Sequence, residues 1–238
     1  NTLEITSKNK KNYVAKYELV KTMRAGILVI GPLLAKYDKA KVSLPGGCAI
    51  GARPVDIHLD FLSKCGYQNK ISKGYVISNK QSIKKKISYK FKKISVGATE
   101  TAILNCCLSN KEVKLKNIAI EPEIIDLINF LNKSGANIKF TAKRSLLIKG
   151  VKSLNSTKYS IMPDRIEAGT YMIASGITQS SLTLNNILID HLKNIIIVLK
   201  KIGFKFKFIS NNSLKILPSK LKPIKIKTAP YPGFPTDM

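Results

Sequence analysis

A chain of 238 residues with 44% apolar composition can bury one large core or two small ones, which excludes an intrinsically disordered protein. Its formal charge of +27 invites a nucleic-acid partner, yet 37 of its 41 basic residues are lysine and no aromatic platform for base stacking interleaves with them, so no specific nucleic-acid partner is expected. No apolar run reaches the length of a bilayer span, and Cys48, Cys65, Cys106 and Cys107 lack metal-ligand spacing; no membrane insertion, metal or cofactor is expected, and the chain reads as cytoplasmic.

Residues 1–18 open with Leu3 and Ile5 alternating, a strand remnant, followed by a Lys/Asn-rich turn without the character of a secretory leader. From Tyr17 to Ala35 the apolar stripe Leu19, Val20, Met23, Ile27 and Ile30 predicts a helix, with Pro32 as its kink or stop. Arg24 lies off that stripe. With only four arginines in the chain (24, 53, 144, 165), each rigid guanidinium fork is a candidate for a carboxylate or phosphate.

Ser43-Leu44-Pro45-Gly46-Gly47-Cys48-Ala49-Ile50-Gly51-Ala52-Arg53-Pro54 reads as a glycine-rich loop. Glycine lets backbone N–H groups approach an anion. A cation such as Arg53 near Cys48 would favour the reactive thiolate. Pro54 suits the first turn of a helix, and Val55, Leu59 and Leu62 continue at helical spacing. Both a reactive thiol and an ordinary small cysteine in a tight turn fit these residues.

A repeat follows. Phe61-Leu62-Ser63-Lys64-Cys65-Gly66, Phe130-Leu131-Asn132-Lys133-Ser134-Gly135 and Val198-Leu199-Lys200-Lys201-Ile202-Gly203 recur at nearly equal intervals. Each glycine is placed to cap a helix in the left-handed conformation. A strand follows each one (67–71, 136–140, 204–208), then a turn and a second strand (75–77, 145–148, 213–216). Upstream, Ser95-Val96-Gly97-Ala98-Thr99 resembles Ile166-Glu167-Ala168-Gly169-Thr170, and each opens an apolar helix. The unit reads strand, helix, strand, helix, hairpin, about three times. Between copies, Lys84-Lys85-Lys86 reads as a solvated strand edge, and Cys106-Cys107 as core. The tail from Thr228 to Met238 is rich in Pro and Gly and reads either as a rigid loop presenting Asp237, anchored by Tyr231 and Phe234, or as a loose terminus.

In this order, Lys21-Thr22-Met23-Arg24-Ala25, Pro45-Gly46-Gly47-Cys48, Gly51-Ala52-Arg53-Pro54-Val55-Asp56-Ile57-His58, Ser95-Val96-Gly97-Ala98-Thr99, Pro163-Asp164-Arg165-Ile166-Glu167 and Phe234-Pro235-Thr236-Asp237-Met238 resemble the UDP-N-acetylglucosamine 1-carboxyvinyltransferase family (enolpyruvyl-UDP-GlcNAc synthase). The set covers nearly the whole chain. The resemblance implies an α/β fold, an inside-out α/β barrel of two lobes with three βαβαββ units each. About three of the six would be present: most of one lobe in residues 1–161, without its first unit, and one unit of the second in 162–238. The family's early Lys-Asn pair, a phosphoenolpyruvate contact, has no counterpart here, and its late Arg would fall beyond Met238.

The implied activity is transfer of the enolpyruvyl group from phosphoenolpyruvate to the 3-hydroxyl of UDP-N-acetylglucosamine, with release of phosphate, the first committed step of peptidoglycan precursor synthesis. By resemblance, Cys48 is the proton donor and the site of fosfomycin attack. Arg24 and Arg53 hold phosphoenolpyruvate. Arg53, Pro54, Val55, Asp56, Ile57 and His58 bind the uridine end, Lys93, Ser95, Val96 and Gly97 the diphosphate and sugar, and Asp237 is the base for the sugar hydroxyl. Asp164 and Arg165 are expected to pair with each other in a structural role, and His191 to lie on the surface. The alternatives are 3-phosphoshikimate 1-carboxyvinyltransferase, against which the Pro-Gly-Gly-Cys loop argues, an RNA-terminus or RNA-binding protein on a related repeat scaffold, and a non-catalytic remnant that folds but turns nothing over.

Overall fold

Gly66, Gly135 and Gly203 have φ of 93°, 99° and 115°, the left-handed region that costs glycine little and other residues more. Each ends a helix and turns the chain into a hairpin, as the repeat predicts. The computed structural model describes residues 2–6, 12–20, 23–44, 55–82 and 84–238, together with the backbone but not the side chain of Arg24. Two compact units emerge, Asn1–Ile118 with Leu127–Thr157, and Ala119–Asp126 with Lys158–Met238.

The chain runs β1 (Val14–Ala15), α1 (Tyr17–Val20), a 3-10 stretch (Arg24–Val29), α2 (Ile30–Tyr37), β2 (Lys39–Ser43), α3 (Asp56–Lys64), β3 (Tyr67–Ser72) and β4 (Tyr75–Lys80). It then repeats the order with β5 (Lys86–Lys90), α4 (Val96–Cys107), β6 (Glu112–Lys116), α5 (Pro122–Lys133), β7 (Asn137–Ala142) and β8 (Ser145–Lys149). The two sheets share one topology, β1-β2-β4-β3 and β5-β6-β8-β7. In each, the opening pair is parallel and the rest antiparallel. A parallel pair needs a crossover, and α1–α2 or α4 supplies it.

Strand alternation places one face in the core. Val113 and Leu115 of β6 and Leu146 and Ile148 of β8 are buried, while Lys114 and Lys116 face water. Part of the lysine charge therefore follows from a two-residue period over a solvated face. Lys84, Lys85 and Lys86 are exposed and lead into β5, an edge strand. Cys106 and Cys107 are buried in α4, as expected.

The second unit carries α6 (Arg165–Ile177), β9 (Leu182–Asn185), α7 (Ile189–Ile202), β10 (Lys205–Ser210) and β11 (Ser213–Leu217), with sheet order β10-β11-β9. This is the repeat again, without an opening strand among the described residues. Met172, Leu192, Ile195, Leu199, Leu214, Ile216 and Phe234 form its core.

Four local expectations are corrected. Of residues 1–18, read as strand remnants, Val14–Ala15 do form a strand, but residues 2–6 do not, and Leu3 and Ile5 are exposed. The helix expected over 17–35 is divided into α1, the 3-10 stretch and α2, which continues to Tyr37. Pro32 stops nothing because it falls in the first turn of α2, where proline is tolerated. Asp164 does not pair with Arg165. Its Oδ1 accepts from Ile166 N–H at 2.7 Å and Glu167 N–H at 3.3 Å, capping α6. Arg165 instead donates from Nη2 and Nε to the two oxygens of Glu123, at 3.0 and 3.3 Å. His191 is half-buried rather than on the surface.

Candidate functional site

Cys48, Arg53 and Pro54 lie outside the described residues, as does the side chain of Arg24. The remaining predicted residues fall at two helix starts in the first unit and in the tail of the second. Val55, Asp56, Ile57 and His58 enter the first turn of α3; Lys93, Ser95, Val96 and Gly97 lead into α4.

These two helix starts meet. His58 Nδ1 is 2.9 Å from Thr101 Oγ1, a buried hydrogen bond bridging α3 and α4. A Cβ on Gly97 would stand 3.1 Å from His58 Cε1, so the backbone of α4 approaches the ring as closely as it does because residue 97 has no side chain. Burial pushes the His58 pKa down to about 4, against a smaller opposing pull from Asp56. The ring is therefore neutral at physiological pH. It packs the two helix starts together and brings no cation to the site.

At α4 the cap is formed by Ser95, whose Oγ accepts from Ala98 N–H at 3.2 Å while its carbonyl accepts from Thr99 N–H at 3.1 Å. The first N–H groups of a helix, here those of Val96 and Gly97, have no intrahelical acceptor, and they carry the positive end of the helix dipole. An α-helix start of this kind, with exposed Lys93 just before it, suits phosphate oxygens.

Sequence reasoning missed a neighbouring group. A cavity of about 300 Å³ is lined by Asp56, Ile57, Asp60, Tyr89 and Lys92. Tyr89 donates to Asp60 Oδ2 at 2.8 Å, and Lys92 Nζ lies 3.6 Å from the same oxygen. Burial and the Asp60 carboxylate push the Tyr89 phenol well above its ordinary value, so it stays a proton donor. Phe61, Tyr89 and Phe91 stack edge and face, with centroids 5.0–6.1 Å apart, which fixes β5 against α3. The signal available in the sequence was Asp56 and Asp60, one helical turn apart on one face. A larger cavity of about 790 Å³ in the second unit, lined by Asp190, His191 and Phe208 among others, contains none of the predicted residues.

Asp237 is exposed in an ordered tail. Ala229 N–H donates to Phe234 O at 3.0 Å and Gly233 N–H to Pro230 O at 2.8 Å, and Phe234 is buried in the unit's core with Met238 packed against it. Of the two aromatic anchors expected of the tail, Phe234 is sunk in the core and pins the chain three residues before the carboxylate. Among the described residues no group of three or more His, Cys, Asp or Glu side chains is arranged to hold a metal ion, and no helix is long and apolar enough to cross a membrane.

The family model for EPSP synthase (3-phosphoshikimate 1-carboxyvinyltransferase) matches residues 1–238. Among curated proteins, the UDP-N-acetylglucosamine 1-carboxyvinyltransferase of Pelagibacter ubique (strain HTCC1062) is 54% identical over 240 aligned positions, covering 100% of this chain and 58% of the relative. The protein of the same name from Orientia tsutsugamushi (strain Ikeda) is 45% identical, covering 100% of this chain and 57% of the relative. The chain thus spans less than two thirds of the length of these relatives. Among solved structures, the enolpyruvyl transferase NikO from Streptomyces tendae aligns with TM-score 0.77 at 20% identity, over 94% of this chain and 54% of that one. EPSP synthase from Acinetobacter baumannii aligns with TM-score 0.60 at 18% identity, over 84% and 47%. The expected fold class, repeated βαβαββ units of the enolpyruvyl transferase kind, agrees with both likenesses.

Proposed function

The chain belongs to the EPSP synthase family, and on that premise we propose that the protein transfers the enolpyruvyl group of phosphoenolpyruvate to the 3-hydroxyl of UDP-N-acetylglucosamine, releasing phosphate. The observation that carries this reading is identity of 44–54% along essentially the whole chain to proteins named for that reaction. Residues 1–161 then supply most of one lobe and 162–238 one unit of the other. The setting is the cytoplasm, where the product feeds peptidoglycan synthesis and hence cell shape and division.

The chemistry protonates the enol methylene and adds the sugar oxygen to the adjacent phosphate-bearing carbon as the hydroxyl proton leaves. It then expels phosphate together with a proton from the newly formed methyl group, which restores the double bond. Cys48 is the proton donor. Arg24 and Arg53 hold the phosphate and carboxylate of phosphoenolpyruvate by charge-assisted hydrogen bonds that fix the reacting geometry. The amides at the start of α4, with Lys93, take the diphosphate. Asp56 and Ile57 face the nucleoside beside the 300 Å³ cavity, and Asp237 removes the proton of the sugar 3-hydroxyl. His58 contributes by holding α3 against α4, which keeps the nucleoside-facing turn and the diphosphate-facing amides at a fixed separation.

The test is phosphate release from phosphoenolpyruvate by the full-length protein with each acceptor in turn. Release that depends on UDP-N-acetylglucosamine, and stops after fosfomycin adds its mass to Cys48, is the expected result. Release with shikimate 3-phosphate instead, or a label on any other residue, overturns the proposal.

A further inference from the structure

We propose that Glu121 and Arg165 are positioning residues that set the place of Asp237 by gripping Tyr231. This rests on the reading of Asp237 as the base for the sugar hydroxyl. All of the groups involved lie in the second unit.

Tyr231 is held at two points. Its backbone N–H donates to Glu121 Oε1 at 3.3 Å, and its ring lies under the Arg165 guanidinium, 5.4 Å from carbon to centroid. Both gripping side chains are buried, Glu121 at 5% and Arg165 at 7% exposure. Arg165 is aligned by its two-point bond to Glu123, so its planar face is presented in one orientation. Glu121 is more unusual. Its second oxygen, Oε2, is buried with no hydrogen-bond partner among the described residues, a costly arrangement for a carboxylate. A residue that serves only to fill space would be apolar here. What the position uses is one acceptor oxygen aimed at the Tyr231 amide.

From Tyr231 the chain has little freedom before it reaches Asp237. The turn at Gly233 is closed on Pro230, Phe234 is sunk in the core, and Met238 packs on that core just beyond the carboxylate. The grip on Tyr231 therefore sets the entry to a short anchored segment that carries the base. A displacement of about 1 Å at a reacting group lowers turnover by roughly 100-fold, so a residue two steps from the chemistry can govern rate without touching substrate.

The experiment measures steady-state kinetics of the full-length protein carrying Glu121→Ala, Glu121→Gln, Arg165→Lys and Asp237→Asn, with melting temperature as the check on folding. Glu121→Ala is expected to lower kcat by about 10- to 100-fold while KM for phosphoenolpyruvate stays within about 3-fold. Glu121→Gln keeps an acceptor oxygen and is expected to restore most of the rate. Arg165→Lys keeps the charge but loses the fork, and should fall between the two. If Glu121 acts through Asp237, then Glu121→Ala lowers kcat little further in the Asp237→Asn background. A full additional loss there, or a Glu121→Gln variant as slow as Glu121→Ala, overturns the inference and leaves the base assignment standing. An unchanged kcat in Asp237→Asn alone overturns the base assignment and this inference with it.

Discussion

The buried imidazole of His58 gives stability a pH dependence whose sign and size can be worked out. Its pKa is about 4 in the folded chain and about 6.5 when exposed. Above the unfolded value both states hold a neutral ring and the residue contributes nothing to pH dependence. As pH falls below about 6.5 the unfolded state takes up a proton that the folded state refuses, so stability is lost on acidification. The loss is about 2 kcal/mol at about pH 5 and levels off near 3 kcal/mol once pH is below the folded value. Urea denaturation of the wild type and of His58→Gln, at near-neutral and mildly acidic pH, isolates the contribution. The variant lacks the titrating ring, so its stability should fall less on acidification by about the stated amount. Equal acid sensitivity of the two proteins would show that the ring is not held neutral against α4.

Two cap substitutions separate structure from ligand binding. Ser95→Ala removes the acceptor for Ala98 N–H and should cost about 1 kcal/mol of stability; because the same turn faces the diphosphate in the proposed site, the variant should also bind UDP more weakly in calorimetric titration. Asp164→Ala removes two hydrogen bonds at the start of α6 and should cost a similar amount, with UDP binding unchanged. A loss of UDP binding in the second variant as large as in the first would contradict the assignment of the nucleotide to the α3–α4 region.

The sequence made legible what depends on local backbone chemistry. The three capping glycines predicted where helices end and hairpins begin, to within one to three residues, because a left-handed cap is a requirement a single residue type meets best. The six hairpin strands followed from two-residue alternation. Less legible was whatever depends on partners distant in sequence. Arg165 has an adjacent aspartate, which is the natural guess for its ion pair, yet that aspartate is committed to two amides of its own helix and the guanidinium reaches back to Glu123. Tyr89 carried no motif, and its role beside Asp60 appears only when β5 is laid against α3. The stripe from Leu19 to Ile30 failed for another reason: Val20, Ile27 and Ile30 are buried but Leu19 and Met23 are exposed, so the apolar spacing matched a continuous helix that the chain does not form, and it carries no sign of the change to 3-10 winding at Arg24.

Gly97 tests whether the approach of α3 to α4 is as tight as the His58–Thr101 bond implies. Alanine is a better helix former than glycine by about 1 kcal/mol, so Gly97→Ala would stabilise an unencumbered helix. Here the new methyl group would meet His58 Cε1 at 3.1 Å, close enough that the ring must give way by a few tenths of an ångström. The ring is tied by its 2.9 Å bond to Thr101, one turn further along the same helix, so it cannot retreat without weakening that bond. Gly97→Ala should therefore yield no stabilisation in the wild-type background, and the propensity gain should reappear when His58→Ala removes the obstacle. Comparing the four proteins in a thermodynamic cycle reads the coupling directly. A gain of about 1 kcal/mol from Gly97→Ala with His58 in place would mean that the helices can part, and that the nucleoside-facing and diphosphate-facing turns are not held at a fixed separation.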